Sequence, residues 1–195
     1  MKYVSIDIET TGIQDCDIIE VGAVADDLSN LDTPVEMLPT FHCYFVQEKY
    51  QGEPFALNMH AEIFRRIAAR EEGYNYYKAN KFGHHFKNWL VKEAGYKLEK
   101  DRVKINAAGK NFANFDMPYL REKTDLFKHV GLRNRVLDPG ILFVEDGDFA
   151  IPGLEKCKVR AGLKGYVDHT AVADAIDVAE LIRIALGPIF SQKKV

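Results

Sequence analysis

The stretch that decides the fold of this chain reads Tyr3-Val4-Ser5-Ile6-Asp7-Ile8-Glu9-Thr10-Thr11-Gly12. Apolar and polar side chains alternate along it, which predicts a β-strand with Val4, Ile6 and Ile8 on one face and Ser5, Asp7 and Glu9 on the other. Thr10-Thr11-Gly12 has the composition of a turn and ends the strand. The two carboxylates are therefore expected side by side at the carboxyl end of the first strand.

Two neighbouring carboxylates repel each other, and a bound cation relieves that repulsion. Mg²⁺ and Mn²⁺ are the cations that prefer hard oxygen ligands. The alternative interpretation is that Asp7 and Glu9 are simply solvated, because 29 of the 195 residues are acidic. The pair alone therefore indicates a metal site only weakly.

Length and composition favour one globular domain. The chain has 195 residues, 47% of them hydrophobic, which is enough for a sizeable core. We predict a single domain over residues 1–195, with residues 187–195 as a flexible, polar and basic tail. No apolar run approaches the roughly 18 residues that a membrane-spanning helix needs, and no signal-like segment precedes the first strand.

The number and spacing of the cysteines indicate the cellular compartment. Cys16, Cys43 and Cys157 include no pair at metal-ligand spacing, which argues against a zinc site and against a disulfide framework. Together with the absence of a predicted membrane segment, this usage favours a soluble, cytoplasmic protein.

Charge is unevenly distributed along the chain. Residues 1–62 contain 12 acidic and 2 basic residues, whereas residues 63–195 contain 17 acidic and 24 basic ones. This asymmetry predicts a polyanionic ligand along the second part, with its reacting end held by metal ions at the acidic first strand. A surface that merely varies in sign by region is the alternative.

The order of the patterns predicts an α/β fold with a central, mixed, five-stranded sheet and helices on both faces. An antiparallel meander is expected first, because short linkers join the first three strands. Phe82, Phe86, Trp89 and Leu90 recur at helical spacing and predict a buried stripe. The predicted strands are 3–9, 17–25, 40–46, 103–109 and 135–138; the other predicted helices are 58–71, 112–128 and 170–186, and loops are expected at 53–57 and 145–168.

Three further polar residues are candidates for a site with Asp7 and Glu9. Asp116 is predicted near a helix N-terminus, where an acid also stabilises the helix dipole. Asp174 is set among Ala171, Val172, Ala173 and Ala175, an unusual setting for a solvated charge. His169 precedes the same helix, where a lone histidine is often structural.

Three motifs in order resemble those of the DEDD superfamily of 3′–5′ exonucleases, histidine subclass. They are Asp7-Ile8-Glu9-Thr10-Thr11-Gly12, Asn114-Phe115-Asp116 and His169-Thr170-Ala171-Val172-Ala173-Asp174. This superfamily includes the proofreading exonuclease of bacterial replicative polymerases, RNase T and oligoribonuclease. The resemblance covers residues 4 to about 186 and implies an RNase H-like fold.

The resemblance implies two divalent ions, Mg²⁺ or Mn²⁺, as cofactors. Asp7, Glu9 and Asp174 would bind one ion, and Asp7 would also reach a second ion that Asp116 supports. Two such ions, about 4 Å apart, stabilise the attacking and leaving oxygens of a phosphodiester.

The remaining implied roles concern the proton and the substrate. His169 would take a proton from the attacking water, and Thr10 would contact the sugar of the terminal nucleotide. The expected reaction releases nucleoside 5′-monophosphates from the 3′ end of single-stranded DNA or RNA. The motifs carry no information on oligomeric state or on association with a polymerase. Basic residues suggested for backbone phosphates by charge alone are Lys110, Arg121, Lys123, Arg160 and Lys164.

Two other functions compete with this one. A haloacid-dehalogenase-type phosphatase opens with Asp-x-Asp-x-Thr, and Asp7-Ile8-Glu9-Thr10-Thr11 differs from it by one methylene. In that class Asp7 would be the nucleophile, and Asp146-Gly147-Asp148 is the nearest match to its late acidic pair. The second competitor is a non-catalytic nucleic-acid-binding module on the same fold.

Overall fold

The computed structural model of the protein describes residues 1–191. Within this range seven strands form one sheet: β1 (Lys2–Thr10), β2 (Ile18–Asp27), β3 (Thr40–Phe45), β4 (Tyr76–Tyr77), β5 (Leu98–Glu99), β6 (Arg102–Ala108) and β7 (Val130–Leu137). The helices of the same range are α1 (Pro54–Met59), α2 (Ala61–Ala69), α3 (Ala79–Lys92), α4 (Asp116–Lys123), α5 (Leu126–His129), α6 (Pro139–Leu142), α7 (Leu154–Arg160) and α8 (Ala171–Ser191). A 3-10 turn spans Val35–Met37. None of these described helices is both long enough and apolar enough to cross a bilayer.

Five long strands form the body of the sheet, which confirms the predicted architecture. They lie in the order β3-β2-β1-β6-β7. Strand β2 runs antiparallel to β1 and β3, as the predicted meander requires. Strand β6 is parallel to both β1 and β7, so the sheet is mixed. The two-residue strands β4 and β5, which extend β3 and β6, were absent from the prediction.

Helices cover both faces of this sheet, and β1 contributes to both cores. On one face its apolar side chains pack against the predicted stripe of α3, and every member of both sets is buried: Val4, Ile6, Ile8, Phe82, Phe86, Trp89 and Leu90. On the other face Tyr3 packs against Val178 and Ile182 of α8. Burying one such side chain contributes about 1.5–3 kcal/mol. The alternation read from the sequence therefore separates an apolar layer from the face that carries Asp7 and Glu9.

Two short helices replace the predicted loop 53–57 and helix 58–71. Helix α1 already begins at Pro54, because proline suits the first turn, where its missing N–H would have no partner anyway. Asn58, the predicted N-cap, therefore lies inside α1. The two helices are separated at His60, whose ψ of 22° interrupts the helical path. Ile63 and Ile67 are buried, as predicted.

The predicted helix 112–128 is also divided. Asn111 has a left-handed φ of 56°, so the chain turns before α4 begins at Asp116. A second break follows at Thr124, whose hydroxyl oxygen accepts a hydrogen bond from the Leu126 N–H at 3.1 Å. The adjacent Asp125 carboxylate accepts one from the Gly83 N–H of α3 at 2.7 Å. These contacts dock α5 against α3, and a continuous helix would not permit them.

The region after β6 holds more regular structure than predicted. Strand β7 spans Val130–Leu137 instead of 135–138. Helix α6 follows because the Asp138 carboxylate accepts a hydrogen bond from the Gly140 N–H and Pro139 occupies the first turn. Helix α7 lies inside the predicted loop region 145–168, where it buries Cys157. The short helix was not predicted because the region is rich in glycine and charged residues.

Helix α8 is longer than the predicted helix 170–186. It continues to Ser191 through Pro188, so the predicted flexible tail 187–195 is wrong for residues 187–191. Leu186 and Phe190 pack against the cluster that contains Tyr3 and Leu28, and this burial supports the additional turn. Residues 192–195, the remainder of the predicted tail, lie outside the described residues.

We predict that Gly22→Ala destabilises the fold. An added Cβ would lie 2.2 Å from the carbonyl carbon of Ala171, where α8 begins. Overpacking of this kind costs about 1–3 kcal/mol, which for a chain of this size lowers Tm by roughly 2–4 °C per kcal/mol. Thermal unfolding measures the change.

Gly131→Ala is the matched control, because a Cβ there meets its nearest atom at an ordinary 3.5 Å. Equal Tm values for Gly22→Ala and the parent chain would mean that α8 does not pack so closely on β2.

Candidate active site

Three acidic side chains from two elements meet at one end of the sheet. Asp7 and Glu9 project from β1 toward α8, and Asp174 lies in the first turn of α8. One carboxylate oxygen from each of the three lies within 4.8 Å of the others. Residues that are more than 160 positions apart in the chain are thus close enough to share one cation.

Strand β2 sets the position of Asp174 by holding the start of α8. Glu20, which is paired with Glu9 across the strands, accepts a hydrogen bond from the Ala171 N–H at 3.1 Å through its Oε2 atom. Its Oε1 atom lies 2.6 Å from Nε2 of His42. Because an N–H in the first turn of a helix has no partner within the helix, Glu20 supplies one. Together with the close approach at Gly22, this bond places the first turn of α8 over β1.

Asp116 reaches the site from the start of α4, the helix that follows β6. Its side chain is only 2% exposed, and Oδ1 accepts a hydrogen bond from the Ile8 N–H at 3.1 Å. Pairing of β1 with β6 ends at Ser5, so the Asp116 carboxylate takes the place of a strand partner for Ile8. This bond holds the Asp116 carboxylate beside Asp7.

An open cleft of about 510 Å³ adjoins the acidic cluster. Asp7, Asp174, His169, Lys110 and Tyr166 all line it. His169 is exposed and has a left-handed φ of 50°, so it precedes α8 proper, as the sequence predicted. The cleft thus presents carboxylates, an imidazole and an ammonium group to one bound molecule.

Thr10 lies at the end of β1 but points into the turn. Its side chain is buried, and its hydroxyl donates to the Gly12 carbonyl at 2.6 Å. The predicted contact between Thr10 and a nucleotide sugar stays a prediction.

Burial raises the pKa values of all four acids, and repulsion within the cluster adds to this for Asp7 and Glu9. Burial, with repulsion from Asp116 and Glu9, holds the pKa of Asp7 well above its usual range. Burial and the nearby Glu20 raise the pKa of Glu9 to about 9. Burial raises the pKa of Asp116 to about 7 and that of Asp174 to about 6. The site therefore favours any ligand that neutralises negative charge.

The donor set fits a divalent metal ion. The Oδ1 atom of Asp174 is buried and has no hydrogen-bond partner among the described residues. An unpaired buried carboxylate oxygen is costly, and a cation bound between Asp7, Glu9 and Asp174 would satisfy it. Carboxylate oxygens beside an open cleft are the ligands that Mg²⁺ and Mn²⁺ prefer.

Two buried residues at the site were missed by the sequence analysis. Glu20 is an acid within the apolar run of β2, and that contrast was the available signal. His60 is 4% exposed, and its Nε2 atom lies 3.4 Å from the Glu9 carboxylate. Burial lowers the pKa of His60. No local pattern marks this histidine, because it falls between two helices.

The basic residues suggested for phosphate binding differ in whether they face the cleft. Lys110 lines the cleft. Arg160 instead bonds to Asp148 and to the Phe143 carbonyl, and Arg121 lies over the Phe127 ring, 5.2 Å from its centroid. Of these, Lys110 is placed to meet a ligand of the acidic cluster.

The chain shares its fold with solved nuclease structures. A product-bound exonuclease I matches with a TM-score of 0.60 and 14% identity, over 98% of this chain and 45% of that chain. E. coli exonuclease I in complex with a dT13 oligonucleotide matches with a TM-score of 0.62 and 16% identity, over 98% of this chain and 43% of that chain. S. pombe Pop2p in its Mg²⁺- and Mn²⁺-bound form matches with a TM-score of 0.57 and 16% identity, over 93% of this chain and 82% of that chain.

These matches confirm the RNase H-like fold that the DEDD resemblance implies. The chain spans less than half the length of the exonuclease I chains that it matches. No protein-family model matches the sequence, and no curated protein matches it. The likeness therefore lies in the three-dimensional arrangement.

We predict that metal-free protein loses stability as the pH rises. A carboxyl whose pKa is raised by folding binds its proton more tightly in the folded state, so its stabilising contribution is lost as the pH passes the folded pKa. For Asp174, Asp116 and Glu9 these values are about 6, 7 and 9. In EDTA, Tm should fall between about pH 5 and about pH 9.

Millimolar Mg²⁺ or Mn²⁺ should reduce this fall, because saturation to about 100 times Kd stabilises by about 2.7 kcal/mol. Asp174→Asn, which removes one ligand charge, should shrink the difference between the metal and EDTA curves. Identical curves for the parent chain with metal and with EDTA at every pH would exclude a cation at this cluster.

Proposed function

We propose that the protein is a metal-dependent 3′–5′ exonuclease that releases nucleoside 5′-monophosphates from single-stranded DNA or RNA. The observation that carries this proposal is the meeting of Asp7, Glu9 and Asp174, with Asp116 beside them and His169 on the same cleft. These residues come from the three motifs that resemble DEDD exonucleases, on a fold shared with exonuclease I. Among the similar solved structures, one of exonuclease I contains an oligonucleotide, and that of Pop2p contains Mg²⁺ and Mn²⁺.

Two divalent ions, Mg²⁺ or Mn²⁺, are the proposed cofactors. Asp7, Glu9 and Asp174 would hold one, and Asp7 with Asp116 would hold the other, as the resemblance implies. Bound there, the ions would stabilise the charge that develops on the phosphodiester during hydrolysis. The raised pKa values of the four acids support this role, because such a site gains from a concentrated positive charge.

His169 is the proposed general base. Imidazole titrates near neutrality, so it can accept a proton from water and release it again. Its exposed position on the cleft leaves room for that water beside Asp7 and Asp174. The proton would move from the attacking water to the ring as the water oxygen forms a bond to the terminal phosphorus. The bond from that phosphorus to the 3′ oxygen of the preceding nucleotide would break, and this oxygen would take a proton from solvent to become the new 3′ hydroxyl.

We propose that the part of the cleft next to the acidic cluster binds the nucleic-acid substrate. Lys110 is positioned to pair with a phosphate, and the Tyr166 ring, 73% exposed at the cleft, offers a surface on which a base can stack. Thr10 would meet the terminal sugar.

The arrangement gives less support to a phosphatase. That class requires a late acidic pair near the nucleophile, for which Asp146 and Asp148 were the candidates. Asp148 instead forms ion pairs with Lys156 and Arg160, and neither candidate lines the cleft at Asp7. Asp174 of α8 occupies the place beside Asp7 and Glu9.

The activity is tested with 5′-labelled single-stranded DNA and RNA. We expect ladders that shorten from the 3′ end in Mg²⁺ or Mn²⁺, release of nucleoside 5′-monophosphates, and no cleavage in EDTA. Asp174→Asn should lower the rate by about 10²-fold or more, because it removes a ligand that the transition state needs. Ladders that survive EDTA, or wild-type cleavage by Asp174→Asn, would contradict the proposal.

A second experiment isolates the proton-transfer role. His169→Ala should lower kcat by about 10²–10⁴-fold, the range typical of general acid–base catalysis. The rise in Tm on adding Mg²⁺ should remain, because the four carboxylates are unchanged. Unaltered kcat would remove His169 from the reaction. Metal-independent binding of the oligonucleotide without cleavage by the parent chain would favour a non-catalytic binding module.

A further inference from the structure

The segment that carries His169 is held by few contacts. We define the His169 segment as residues 164–169, which lie between α7 and α8. Among the described residues, one hydrogen bond reaches positions 164–169, and it runs from Lys158 Nζ to the Tyr166 carbonyl at 2.5 Å. Lys164, Tyr166, Asp168 and His169 are all exposed. Hydrogen bonds within the segment itself therefore do little to fix it.

Lys158 is an unusual lysine, because its side chain is only 11% exposed. It lies on α7, and its Nζ atom is also bonded to Oδ2 of Asp177 on α8. The Asp177 side chain is 15% exposed. One ammonium group thus links α7, α8 and the His169 segment. Asp177 follows Asp174 by three positions, so both lie on the same side of α8.

A buried ion pair of this kind is not needed for packing. Desolvating an ammonium and a carboxylate is costly, and well-packed apolar residues of similar volume are often at least as stabilising. What an apolar pair cannot provide is a hydrogen-bond donor for the Tyr166 carbonyl. The contact that distinguishes Lys158 from an apolar residue is therefore its hydrogen bond to the Tyr166 carbonyl.

The backbone at His169 requires such support. A left-handed φ of 50° is uncommon for a residue with a side chain, and it persists where surrounding contacts impose it. On its C-terminal side, the Thr170 carbonyl accepts a hydrogen bond from the Asp174 N–H at 3.0 Å. On its N-terminal side, the corresponding anchor is the bond between Lys158 and Tyr166, three residues earlier.

We propose that Lys158 is a positioning residue that holds the Tyr166 carbonyl against Asp177 and thereby aims the His169 imidazole at the acidic cluster. The inference rests on the exonuclease function proposed above. A general base must lie within hydrogen-bond reach of the water that it deprotonates. Lys158 meets this requirement indirectly, by fixing the segment on which the base lies.

The first test compares two lysines of the same helix. Lys158→Met removes the donor, and we expect kcat to fall by roughly 10- to 100-fold with little change in KM, since small displacements of a catalytic group have effects of this size. Lys156→Met is the matched control, because it removes the same charge from a side chain that is 55% exposed. It should leave kcat unchanged. Equal kcat values for both variants would overturn the proposal.

A double-mutant cycle shows whether Lys158 acts through His169. In a His169→Ala background, Lys158→Met should cause no further loss of kcat, because the group that it positions is already absent. The rise in Tm on adding Mg²⁺ should be as large in Lys158→Met as in the parent chain. Additive losses, or a weaker response to Mg²⁺, would mean that Lys158 acts elsewhere and would overturn the proposal.

A third measurement does not depend on activity. Amide hydrogen exchange of residues 164–169 should be faster in Lys158→Met than in the parent chain, with α8 unchanged. Unchanged exchange of residues 164–169 would overturn the positioning role of Lys158, even if the protein is a nuclease. A parent chain that cleaves neither DNA nor RNA would overturn only the proposed function. Because Lys158→Met leaves Asp177 without its partner, Lys158→Met/Asp177→Leu is the second variant. It should give the same faster exchange in a fold of restored stability.

Discussion

Repulsion between carboxylates that are held together at one end of the sheet is the constraint on which the rest of the structure depends. Asp7, Glu9 and Asp174 bring oxygens within 4.8 Å of one another, and Asp116 lies beside them. Buried charges of one sign cost several kcal/mol each unless they are neutralised. Two apolar layers, one beneath α3 and one beneath α8, offset this cost. The same repulsion favours a cation bound at this cluster.

Specific backbone contacts hold each acid against this repulsion. Strand alternation places Asp7 and Glu9 on one face, and Glu20 secures the start of α8 through the Ala171 N–H. Asp116 takes the position that a strand partner of Ile8 would otherwise occupy. Because these contacts involve the main chain of regular elements, the carboxylates are fixed before a ligand arrives. Such preorganisation avoids the cost of ordering the site when a ligand binds.

The proposed general base is supported in a different way. His169 lies on an exposed segment that is joined to α7 and α8 through the Lys158 ammonium group. The proposed metal ligands therefore belong to regular elements, whereas the proposed proton acceptor lies on a connecting segment with few hydrogen bonds of its own. On the proposal made above, the Lys158 side chain is buried in α7 because its ammonium group positions this segment.

The sequence by itself determined four of the five long strands, the last part of the fifth, the stripe of α3 and the identity of the candidate acids, because these depend on periodicity and residue type over short distances. It did not determine the breaks at His60 and Thr124 or the continuation of α8. The docking of α5 through Asp125 and Gly83, and the packing of Leu186 and Phe190 near Tyr3, join residues that are remote in the chain. The roles of Glu20 and Lys158 were not predicted either. Their partners, the Ala171 N–H and the Tyr166 carbonyl, are backbone groups that no side-chain pattern records. Only the tertiary structure decided where the carboxylates converge, because the pairing of β1 with β2 and the close packing of α8 over Gly22 set those distances.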